Sequence, residues 1–133
     1  MHSIVQYTRN PDVSFYSSGR IDITSRVARA IGIADGDVIS IAESDGEYYI
    51  YCAKHADAVV GSHQGTVHPT KQHSRNFRCY SSQICHILLT AHGITGRGQS
   101  LRVPAGRVIQ HPQFGTMMSL VTMFSINSQH KTD

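Results

Sequence analysis

The 133-residue chain lacks most of the features that announce a compartment or a chemistry. Its cysteines, Cys52, Cys79 and Cys85, are odd in number and show no CxxC spacing, which argues against a disulfide framework and suits a reducing cytoplasm. No stretch approaches the roughly 18 to 20 consecutive apolar residues of a membrane-spanning helix, so no membrane partner is expected. The opening "MHSIVQYTRN" has no basic start followed by an apolar core and predicts no secretory leader. Nucleophile elbows, HExxH, phosphate-binding loops and paired carboxylates are all missing. Cys85 and His86 are adjacent, but helical neighbours point about 100° apart and do not make a dyad. A chain without catalysis, cofactor or metal is the expectation. His63, His68 and His73 recur every five residues, which matches neither a helical ligand pair nor a finger, so they read as a solvated loop.

Hydrophobic residues make up 40% of the chain, enough to bury a core, and the length fits a single domain over 1–133. Charge is distributed unevenly. Residues 1–54 hold five Lys/Arg against seven Asp/Glu, whereas 55–133 hold seven against two, together with eight of the nine histidines. An anionic partner would favour the second half, and more so as the histidines protonate.

Strand-like segments fall at 3–8, 13–18 and 20–23, the last alternating Ile21 and Ile23 inward against Arg20 and Asp22 outward. Thr24 or Ser25 is expected to cap a short helix with its hydroxyl, and Gly32 to end it. Ser44-Asp45-Gly46 is a strong hairpin signal between "VISIAE" and "EYYIYCAK". Residues 55–74 form a polar connector. Another strand-like piece at 75–82, a helix from Ser82 to Gly93 and a looser hairpin complete the chain, and residues 127–133 are a polar tail.

The order of elements repeats. "YSSGRIDITSRVARAIGI" at 16–33 and "YSSQICHILLTAHGI" at 80–94 both run from Tyr-Ser-Ser through a helix to Gly-Ile, then through a glycine turn into a strand pair. Halves 1–54 and 75–126, joined by the polar linker 55–74, predict a mainly β fold with two short helices, in which each half covers the open apolar face of the other. Within the first half, Gly19, Arg20, Ile21, Ile23, Arg29, Ile31, Gly32, Ile33 and Asp37 stand in an unbroken register. That pattern resembles the AbrB-type swapped-hairpin proteins of the wider cradle-loop barrel group, over residues 13–54 with a degenerate second copy at 75–126. Thr24 stands where that family usually has proline. The resemblance implies a small closed β-barrel, of swapped-hairpin or double-psi type, and a cytoplasmic DNA-binding regulator. Independently of the family, Gly36 supplies an unusual backbone conformation, and Asp37 is placed to accept from nearby amides and fix the turn.

Double-stranded DNA is accordingly the expected partner, with Arg20, Arg26, Arg29, Arg102 and Arg107 as its contacts and Arg75, Arg78 and Arg97 extending the basic surface. Arginine suits the task because its planar fork pairs bidentately with phosphate or guanine. The alternative is a non-enzymatic module that binds a protein partner, a second copy of itself or a small anion. Tyr48, Tyr49, Tyr51, Met117, Met118 and Met123 could supply a contact surface, and the "TGRGQS" loop could offer amides to an anion.

Overall fold

Period-two alternation decides the strands. Val13–Tyr16 (β1) and Arg20–Ile23 (β2) pair antiparallel, burying Val13, Phe15, Ile21 and Ile23 on one face. In the computed structural model of the protein, residues 11–53 and 64–122 are described. The strand expected at 3–8, the polar tail, His63 and Met123 lie outside them.

The remaining elements are the helix Ser25–Ile31 (α1), the hairpin Val38–Ser44 (β3) and Glu47–Ala53 (β4), the short strands Gln64–Thr66 (β5) and His68–Pro69 (β6), and Phe77–Tyr80 (β7). The helix Ser82–Ala91 (α2) follows, then Ser100–Val103 (β8), Ala105–His111 (β9) and Gly115–Leu120 (β10). The β3–β4 turn uses Asp45 and Gly46 at φ 52° and 80°, the pair of positive values that a tight hairpin turn requires.

The closed barrel expected from the sequence does not form. The strands make two open antiparallel sheets of five, ordered β6-β7-β2-β1-β8 and β5-β3-β4-β10-β9, and in neither do the outermost strands pair. The reason lies at Val67 and Pro104, the single residues between β5 and β6 and between β8 and β9. At each of them the chain leaves the edge of one sheet and becomes the edge of the other. Pro104 has no N–H to continue a ladder. The Val67 N–H is drawn aside to the Asp37 carbonyl (2.8 Å). The two sheets are therefore joined by bent edge strands instead of either closing on itself.

One hydrophobic cluster fills the space between them. Phe15, Ile21 and Leu101 come from the first sheet, Ile39, Ile50 and Met118 from the second, and Val27, Ile84 and Leu88 from the helices. Each such side chain contributes about 1.5–3 kcal/mol through its removal from water. Met117 and Met118 are both buried, so they belong to the interior and not to a contact surface. Residues 64–69, inside the stretch read as a polar connector, supply two strands, because backbone pairing needs no apolar side chain. Gly65 fits closely there: a Cβ would stand 3.1 Å from the Cys79 Sγ and 3.3 Å from the Tyr80 carbonyl, so a larger residue would press its neighbours aside.

The Tyr-Ser-Ser likeness does not mark equivalent places. At 16–18 it forms the turn between β1 and β2, with the Gly19 N–H donating to the Tyr16 carbonyl. At 80–82 it leads from β7 into α2, where the Ser81 hydroxyl accepts from the Ile84 N–H. The helix ends do correspond. Gly32 and Gly93 both adopt φ near 75°, and the following isoleucine amides reach back five residues, from Ile33 to Ala28 and from Ile94 to Leu89 (2.8 Å each). The start of α1 differs from expectation. Thr24 makes no cap hydrogen bond, and the Asn76 Oδ1 accepts from the Ser25 N–H instead (2.8 Å).

Candidate nucleic-acid interface

The alternation that buries one side of the β6-β7-β2-β1-β8 sheet turns a set of polar and aromatic side chains outward. His68, Arg78, Asp22, Ser14 and Arg102 stand opposite one another in register and form a line across all five strands. Beside this line, Tyr80 is opposite Arg20, and Tyr16 is opposite Ser100. The Arg20 guanidinium lies 4.0 Å from the centre of the Tyr16 ring, and that of Arg102 lies 5.9 Å from it. Such contacts are worth about 0.5–1 kcal/mol at exposed positions. They also hold two long cations in place.

Asp22 sits among these cations. Its carboxylate accepts from the Arg78 Nε at 2.7 Å and from the Arg78 terminal nitrogen at 3.5 Å. The Arg20 Nε lies 3.4 Å from the same carboxylate, within ion-pair reach but without the alignment of a hydrogen bond. Asp22 raises the Arg78 pKa above its ordinary value, chiefly by accepting that side-chain hydrogen bond, so the guanidinium stays charged. At the sheet edge, His68 Nδ1 is 2.9 Å from Asp35. Among the described residues this face carries the guanidiniums of Arg20, Arg78 and Arg102 around the Asp22 carboxylate. Tyr80, 64% exposed, is the most exposed large hydrophobic side chain among the described residues.

An open cleft of about 240 Å³ adjoins one end of this face, lined in part by Asp12, Asp22, Thr24, Asn76 and Arg78. Asp12 is structural. Its side chain is buried, and its Oδ2 accepts from the Ala105 N–H (2.7 Å) and the Arg26 guanidinium (2.8 Å), tying β1, α1 and β9 together.

The expected contact residues therefore divide. Arg20 and Arg102 come together around Tyr16. Arg26 is drawn to Asp12 and to the Ala105 carbonyl (3.4 Å). Arg29 is exposed on α1, and Arg107 is exposed on β9 in the other sheet, where its N–H donates to the Ser119 hydroxyl. Arg75 and Arg97 are exposed on loops. In the sequence Arg78 is expected only to extend the basic surface, and Tyr16 and Tyr80 stand outside the expected contacts. The alternation in "FRCY" was the available signal, since it puts Arg78 and Tyr80 on the face opposite Phe77 and Cys79.

Other candidate groups are engaged elsewhere. The Gly96 N–H donates to the Gln99 Oε1 (3.0 Å) and the Gly98 N–H to the Ser17 hydroxyl (3.1 Å), so two amides of the "TGRGQS" loop are turned inward from any anion. Burial pushes the Cys79 thiol up to about 12 and the Cys85 thiol to about 11, while His86 is exposed. Both thiols remain protonated and unreactive at neutral pH. His68 and His73 are exposed, and no group of three metal-ligating side chains occurs among the described residues. On the second sheet, Tyr48 is buried against His92, with ring centres 5.6 Å apart, while Phe114 lies between Tyr51 and His111, 4.8 Å from each. No helix among the described residues is long and apolar enough to cross a membrane. Protein-family models, curated proteins and solved structures include no match to this chain.

Proposed function

We propose that the chain is a non-catalytic, DNA-binding protein of the regulator-like kind, acting through the outer face of the β6-β7-β2-β1-β8 sheet. The observation that carries this reading is the placement of the Arg20 and Arg102 guanidiniums on either strand flanking Tyr16, with Arg78 on the next strand. A polyanion laid across such a face meets cations already held by rings and a carboxylate, so less side-chain freedom is lost on binding. Arg26 is held by Asp12 and Arg107 belongs to the other sheet, and the reading needs neither of them nor Arg29. The three cysteines without disulfides fit a reducing cytoplasm as the place of action.

The test is the fluorescence anisotropy of labelled DNA titrated with the protein over a range of salt. With two or three phosphates neutralised, the logarithm of affinity should fall linearly with the logarithm of salt, with a slope of about −2. Arg102→Ala should weaken binding and reduce the magnitude of that slope by about 0.7–0.9. Absence of binding at low salt, or a slope unchanged by removing Arg102, would overturn the proposal.

A further inference from the structure

We infer, on the basis of the binding face proposed above, that its preferred occupant is single-stranded DNA and not a duplex. In a duplex the flat surfaces of the bases are already stacked on one another, and a protein reaches only base edges and phosphates. An exposed ring gains most from a base whose flat surface is free. Tyr80 presents such a ring, 64% exposed, directly across from Arg20. Arg20, held over Tyr16, sets a positive charge beside that ring. The neighbouring line supplies Arg78 and Arg102 for phosphates, so stacking groups and cations run side by side across the strands. This juxtaposition suits an extended strand that lays its bases on one row and its backbone on the other. Rings and guanidiniums recognise bases and phosphates, groups that DNA presents without help from a ribose hydroxyl.

The experiment compares anisotropy of the full chain with labelled oligo-dT of about 15 nucleotides, a duplex of the same length and an oligo-uridine of the same length, at one low salt concentration. Oligo-dT should bind more tightly than the duplex. Tyr80→Ala should lower that preference about tenfold, and Tyr80→Phe, which keeps the ring, should restore it. Because Tyr80 is mostly exposed, both variants are expected to fold, which circular dichroism checks. Equal or tighter binding to the duplex overturns the single-strand inference while leaving the DNA-binding reading intact. Loss of preference in Tyr80→Phe as large as in Tyr80→Ala also overturns it. Tighter binding to oligo-uridine overturns the choice of DNA, and failure to bind any of the three overturns both readings.

Discussion

The turns that follow the two helices share a plan and differ in their fastening. Each begins with a left-handed glycine, Gly32 or Gly93, and each is closed by a side chain accepting from the amide three residues earlier: Asp37 from Ala34 (2.9 Å) and Gln99 from Gly96 (3.0 Å). The first turn is then held to the bend at Val67 by two backbone bonds, Gly36 N–H to the Val67 carbonyl and Val67 N–H to the Asp37 carbonyl, both 2.8 Å. The second is held to Ser17 by one bond to its hydroxyl and one from its N–H to the Gln99 carbonyl, at 3.1 and 3.2 Å. The same local geometry can thus be fastened to its neighbour wholly through the main chain, as at Val67, or half through a side chain, as at Ser17. Mutation therefore reaches the two turns by different routes.

The largest loss is expected of Val67→Pro, which removes the N–H that fastens the first turn and forces a ring into a fully buried position. It should cost about 3 kcal/mol or more in chemical denaturation. A loss below about 1 kcal/mol would show that this fastening carries little load. Next come the closing side chains. Asp37→Ala should cost about 1.5 kcal/mol and Gln99→Ala about 0.5 kcal/mol, because a carboxylate makes the stronger hydrogen bond to an amide. Equal losses would show that charge adds nothing at the exposed first turn. The mildest change, Ser17→Ala, should cost about 0.5 kcal/mol. It should also speed hydrogen exchange at the Gly98 amide while leaving Gly36 protected; an unaltered Gly98 would mean that the hydroxyl is not its main partner.

Much of the local structure is legible in the sequence. Alternation marks β2, Asp45-Gly46 marks the hairpin, Gly32 marks a helix end, and the Asp37 acceptor follows from turn chemistry. What the sequence conceals is set by distant partners. Nothing near Asn76 announces that its side chain serves the Ser25 amide, and nothing near Asp12 announces that it receives the Ala105 N–H. The strands β5 and β6 hide in a polar segment because their pairing is made by the backbone. The candidate face was half visible. Arg20 and Arg102 could be named, but their meeting at Tyr16 depends on β1 lying between β2 and β8, a neighbourhood that no single segment specifies. The barrel expectation failed at Val67 and Pro104, where one residue redirects the ladder.

Those two corners have a mechanical consequence. A strand that begins in one layer and finishes in the other acts as a hinge pin shared by both, so neither layer can peel off while its mate stays whole. Loosening at the buried Val67 corner would reach both layers together, because β5 and β6 are one run of chain.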